Sequence, residues 1–201
     1  LLFAYAFDDE DIQIIDLASG EALPEKLTEA LTDPKIIKTA YNANFERTCI
    51  AAYLKMQMPP EQWRCSAVAA AELGLPQTVA EALGLQEQKD ARGKALINYF
   101  SKPCKPTKVN GGRTRNLPQH DSEKWEVFKE YCVQDVAVER AIKKKISRFP
   151  MAESEQRLWE VDQHILDCGV AADSLLAQNA ILYNKAHKEN CKEQLQRLTG
   201  I

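Results

Sequence analysis

Tyr131 and Asp135 stand four residues apart in the run Lys129 to Arg140. Around them Val127, Phe128, Cys132, Val136, Val138 and Ile142 recur close to the helical period. That spacing puts a phenol and a carboxylate on one helical face, one turn apart. A carboxylate on a core-facing side is costly unless something offsets its charge, and a bound cation is one such offset. A second acid lies far upstream. Glu46 closes the run Tyr41-Asn42-Ala43-Asn44-Phe45-Glu46, directly after Lys35 to Ala40, which reads as a short strand. Asn42 or Asn44 is placed to cap the apolar helix that opens near Phe45, so Glu46 projects from its first turn. In open α/β sheets, ligands bind where strands hand over to helices.

The elements that must position these groups follow from the chain in order. Leu2 to Phe7 and Ile12 to Ile15 read as a hairpin around a solvated acidic tip, Asp8 to Asp11. A helix is predicted from Pro24 to Leu31, broken by Asp33-Pro34. After the Glu46 helix, which Pro59-Pro60 ends, short helices are predicted over Ala67–Leu73, Thr78–Leu83 and Lys94–Phe100. Ser101 to Pro118 is rich in Pro, Gly, Lys and Asn and reads as a long loop, a kind usually functional or mobile. One long helix carries Tyr131 and Asp135, from Asp121 toward Ser147. Two more helices follow Pro150, over Glu153–Cys168 and from Asp173 to near Leu198, with Gly169 and Gly200 just past their ends. The fold class expected is α/β, a mixed sheet flanked by helices, with a helical extension after Pro150.

Composition excludes several classes. The chain has 201 residues, 45% of them apolar, as in ordinary globular proteins. No apolar run approaches the roughly 18 residues of a membrane span, so no membrane partner and a cytoplasmic location are expected. Six scattered cysteines without a Cys-x-x-Cys pair point to reduced thiols rather than disulfides or zinc. Trp63, Trp125 and Trp159 read as core or interface residues. The net charge of −3 announces no nucleic-acid coat, but its distribution is uneven. Seven of the 26 Lys and Arg residues fall between Ala91 and His120, where there is no acid, and the other 19 share the rest of the chain with 29 acids. One basic loop on an acidic body suits a protein that holds phosphate beside carboxylates.

Each short pattern alone has an ordinary explanation. Tyr-x-x-x-Asp occurs in many amphipathic helices, a Glu in a first turn compensates the helix dipole, and a charge run is usually solvated. Taken together, in this order, the two stretches resemble the second and third motifs of the DEDD 3′–5′ exonuclease superfamily, in its tyrosine branch. The second motif is matched by Asn42, Phe45 and Glu46, the third by Tyr131 and Asp135. Leu75-Pro76-Gln77-Thr78-Val79, Leu83-Gly84-Leu85, Lys89 and Gly93 to Ile97 are similar to the middle of the exonuclease region in phage and prophage family A DNA polymerases. Leu158 to Gln163 and Cys168 to Asp173 resemble the start of the polymerase region. The superfamily's first motif, Asp-x-Glu on the first strand, is absent.

The resemblance implies an RNase H-like exonuclease fold over 1–149 and the start of a polymerase region over 150–201. It implies phosphodiester hydrolysis at a DNA 3′ end by two divalent cations, Mg²⁺ or Mn²⁺, about 3.5–4 Å apart. Carboxylate oxygens are the ligands such cations prefer. Asp135 and Glu46 are implied as metal ligands, Tyr131 as the group orienting the attacking water, and Asn42 as a substrate contact; Arg113 and Arg115 are expected substrate contacts through the charge of the basic loop. The implied partners are a single-stranded DNA 3′ end and the remainder of a polymerase. Two accounts of the missing motif stay open. The chain is a fragment lacking its first strand and so nearly inactive, or it is a degenerate, non-catalytic module that supports structure or binds single-stranded DNA.

Overall fold

The computed structural model describes residues 1–76, 78–85 and 92–200. Gln77 and Lys89, both part of the resemblance in the middle of the chain, lie outside them. Strands β1 (Leu2–Tyr5) and β2 (Gln13–Asp16) pair antiparallel, with Leu2 opposite Asp16 and Tyr5 opposite Gln13. The tip is exposed as expected, and it turns through Asp8 at φ 41°. Helix α1 (Glu25–Thr32) follows Pro24 and buries Leu27, Ala30 and Leu31.

Strand β3 (Lys38–Ala40) then leads into helix α2 (Ala43–Leu54), which crosses over to β4 (Trp63–Cys65). β3 and β4 pair in parallel, with Lys38 opposite Trp63 and Ala40 opposite Cys65. β4 is an addition to the sequence reading, which passed through Arg64-Cys65-Ser66 without a strand. Three residues are too few to display alternation, and only the parallel partner makes them a strand.

Helices α3 (Ser66–Glu72), α4 (Val79–Ala82) and α5 (Gly93–Ser101) lead to α6 (Ser122–Ile146), 25 residues long. The Asp121 carboxylate caps α6 by accepting from Lys124 N–H at 3.1 Å. Lys143, Lys144 and Lys145 occupy its last turn, where cations meet the negative end of the helix dipole.

α6 is the spine on which the rest leans. Near its start, Trp125 Nε1 donates to the buried Asp16 carboxylate at the end of β2, at 2.6 Å. Further along, Arg140 donates to Glu10 O at 2.8 Å and Lys143 to Thr39 Oγ1 of β3 at 3.3 Å. One helix thus touches both two-stranded sheets. Its Val138, Ile142 and Ile146 pack with Ala70, Val79 and Ala80. A second cluster joins Ile15, Leu27, Leu31, Ile50, Trp63 and Trp159, so all three tryptophans are buried as expected. The fold is mixed α/β.

Helix α7 (Glu153–Cys168) and helix α8 (Ser174–Thr199) complete the chain. Two compact units result, Leu1–Val161 and Asp162–Ile201. The first runs past Pro150 because Trp159 is buried and Gln156 donates to Trp63 O at 3.2 Å. This geometric division is distinct from the functional boundary expected at 149/150. In the second unit, the Asp173 carboxylate caps α8 through Leu176 N–H at 2.9 Å, and Gly200 closes it at φ 69°. Leu158, Val161 and Ile165, in register along α7, are exposed. All six cysteines are free thiols; Cys65 is buried, Cys49, Cys104 and Cys132 are half-buried, and Cys168 and Cys191 are exposed rather than held in a core. No helix among the described residues is long and apolar enough to cross a membrane.

Candidate functional site

Tyr131, Asp135 and Glu139 recur every four residues on α6 and therefore form one stripe. Opposite it comes the first turn of α2. The chain leaves β3 through Tyr41 and Asn42, and Asn42 takes the left-handed conformation (φ 66°, ψ 50°), which its short polar side chain tolerates. The capping expectation is corrected here. Asn42 sits at the N-cap position, yet its side chain makes no capping hydrogen bond, because left-handed backbone is not the extended geometry that aims a cap at the helix. Asn44 is inside the helix, and its side-chain oxygen accepts from Arg47 at 3.4 Å. Phe45 points outward, 61% exposed. Glu46 turns inward.

Glu46 Oε2 is buried and accepts no hydrogen bond. Burial first, with the charges of Glu139 and Asp135 added, pushes its carboxyl up to about 7 against a partly opposing backbone hydrogen bond. Two acids 89 positions apart, Glu46 and Asp135, are thus within electrostatic reach of each other. Other groups feel the same field. The Cys132 thiol is pushed up to about 12 by burial and by the Asp135 charge, and burial with the Glu46 charge raises Cys49.

Glu139 did not enter the sequence reading. It is buried and accepts from Ser66 Oγ at 2.7 Å, which anchors α6 to the start of α3. The signal was present as a third four-residue step after Tyr131 and Asp135, but a Glu at a helical repeat is common enough to pass unnoticed.

Tyr131 is positioned by rings and by a glycine. Its ring stacks on Phe128 (6.0 Å between centroids), which stacks on Phe100 of α5 (5.7 Å). Gly93 opens α5 directly against Tyr131. A Cβ added there would fall 2.1 Å from Tyr131 Cε2 and 2.5 Å from Cζ. Arg113 and Arg115 stand on the loop after α5. Arg113 is half-buried and donates through Nε to Asn116 at 2.9 Å, whereas Arg115 is exposed.

The residues present do not make a complete cation site. Among the described residues, no three His, Cys, Asp or Glu side chains are grouped to hold a metal ion. What exists is Glu46 within electrostatic reach of Asp135 and Glu139, with a buried oxygen that accepts no hydrogen bond.

No family model matches the chain, and no solved structure matches it. It is similar to the DNA polymerase of Bacillus phage SP02, at 57% identity over an alignment of 204 positions that covers the whole chain. The chain spans 32% of that protein's length, about a third.

Proposed function

We propose that this chain is the 3′–5′ proofreading exonuclease region of a phage-type family A DNA polymerase, over 1–149, joined to the first helices of the polymerase region from 150 onward. The observation that carries the reading is the meeting of Glu46 with Asp135, one turn from Tyr131, in a chain similar throughout to part of a phage DNA polymerase. The substrate is the single-stranded 3′ end of DNA.

The arrangement of strands supports an RNase H-like sheet with one strand to be supplied. Among the described residues, β1 pairs with β2 alone and β3 with β4 alone, while α6 touches both pairs. A strand added between β1 and β3 would unite them and satisfy their unpaired edges. With an Asp-x-Glu on that strand, its acids would face Glu46 and Asp135. Asp135 and Glu46 contribute two of four carboxylates, Tyr131 orients the attacking water through its hydroxyl, and Asn42 contacts the substrate. The divalent cations, once held by the completed set, would neutralise charge at the phosphate. The 201 residues alone do not complete that set, so by themselves they should turn over little and bind Mg²⁺ weakly.

The test is nucleotide release from a labelled single-stranded 3′ end, with these residues joined to an Asp-x-Glu strand. Mg²⁺-dependent release is expected, and Asp135→Ala should reduce it by at least 100-fold. Release unchanged in Asp135→Ala would remove that residue from the reaction and the exonuclease reading with it.

A further inference from the structure

The loop between α5 and α6 is a folded object. Asn110 is its hub. Its Oδ1 accepts from Thr107 N–H at 2.9 Å and Gly112 N–H at 3.1 Å, and its Nδ2 donates to Lys105 O at 2.9 Å and Arg113 O at 3.3 Å. Cys104 N–H closes the base on Thr114 O at 2.8 Å. The apex turns through Gly111 and Gly112 at φ 68° and 76°, values that favour glycine. Asn116, itself buried, donates to Tyr99 O at 3.0 Å and so fastens the loop to α5.

Lys102, Lys105, Lys108 and Arg115 are exposed on this framework, Arg113 is half-buried, and no acid lies between Ala91 and His120. Hub and base leave the loop little freedom to lose on binding, which lowers the cost of engaging a ligand. No aromatic side chain lies between Lys102 and Arg115, so nothing there can stack on a base. Such a surface reads charge, not sequence.

We propose that residues 102–115 form a pre-folded knob that grips the phosphates of single-stranded nucleic acid, set back along the strand from the carboxylates. The destination of the strand rests on the exonuclease reading; the grip itself does not. The two ends of α5 mark the offset. Gly93 touches Tyr131 and Ser101 ends the helix before the loop, eight residues on, about 12 Å at the helical rise. At the ~3.4 Å per nucleotide of a stacked strand, that is roughly four nucleotides.

The experiment is fluorescence anisotropy of labelled oligothymidylates with this chain in EDTA, where no turnover intervenes. Five phosphate contacts predict a slope of log affinity on log salt of about −3.5 for a single strand. The K105Q/K108Q/R115Q variant should bind dT12 at least tenfold more weakly with the slope reduced to about −1.4. Asn110→Ala keeps every charge and should still bind at least threefold more weakly. The affinity gained between dT4 and dT8 should vanish in both variants. Unfolding midpoints measured alongside identify a variant that has lost its fold, in which case the single substitutions Lys105→Gln and Lys108→Gln carry the comparison. Binding within twofold of the parent, or equal binding to a blunt duplex or to anionic phosphatidylglycerol vesicles, would overturn the proposal. Weakened oligonucleotide binding alongside an exonuclease indifferent to Asp135→Ala would remove the enzyme reading and leave the grip standing.

Discussion

Glu46 exchanges hydration for position. In water its carboxyl would ionise near 4.5, whereas in the fold burial holds it at about 7. The folded chain therefore binds a proton more tightly than the unfolded chain, and stability falls as pH rises from about 4.5 to about 7. The displacement amounts to roughly 3 kcal/mol at most. Urea unfolding at pH 5 and pH 8 should show this loss in the parent and much less of it in Glu46→Gln. Equal pH dependence in both would mean that Glu46 is solvated in the fold. Asp16 titrates the other way. Burial pushes its carboxyl up, but hydrogen bonds from Trp125 and Ser19 and the Lys129 charge outweigh burial and hold it below the usual range. Its contribution fades only on acidification below about 4, outside that comparison. Gly93 gives a steric test. Alanine normally favours a helix, yet here its methyl would enter the Tyr131 ring, so Gly93→Ala should cost about 1–3 kcal/mol. In a Tyr131→Ala background the cost should disappear, since the ring is gone. A cost that persists there would place the strain elsewhere.

Among the elements, α6 does most of the assembly. Its pattern was plain in the sequence because 25 residues give the apolar period many turns in which to repeat. β4 was missed for the opposite reason. Helices α1, α2, α3 and α5 fall within a few residues of their expected bounds, since proline, glycine and polar clusters punctuate the chain around them. The joint between α6 and the hairpin can be tested through the indole of Trp125, which donates to the Asp16 carboxylate at 2.6 Å. Trp125→Phe keeps a ring but removes the donor, leaving a buried carboxylate oxygen with less satisfaction. A loss of about 1–3 kcal/mol is expected in denaturant unfolding. A loss below about 0.5 kcal/mol would show that Ser19 and Lys129 suffice to hold Asp16.

For the molecule as a whole, the match to about a third of a phage polymerase frames what can be asked of these residues. On the proposed exonuclease reading, two two-stranded sheets held by one helix, with Glu46 and Asp135 near each other, would need more carboxylates to hold a cation pair. Titration calorimetry should find Mg²⁺ affinity at least tenfold weaker for the 201-residue chain than for the chain joined to an Asp-x-Glu strand. Nucleotide release should differ in the same direction by a larger factor. Comparable affinity in both would contradict the view that the missing acids complete the site. The apolar residues exposed on α7 and α8, among them Leu158, Ile165, Ile181 and Leu182, follow the helical period yet are uncovered in this chain.

Periodicity, capping residues and turn formers are local properties, and they made the helices, the hairpin with its acidic tip and the basic loop readable from residue order. Tyr131 and Asp135 shared a face for the same reason, since four residues complete about one helical turn. Proximity between distant segments is not local. That Glu46 comes within electrostatic reach of Asp135 and Glu139, that Ser66 holds Glu139, that Gly93 must lack a side chain beside Tyr131, and that Asn110 ties a proline- and glycine-rich stretch into a knob all depend on where the chain crosses itself. Packing decides such meetings, because burying the apolar faces of α6 fixes which elements must lie against it.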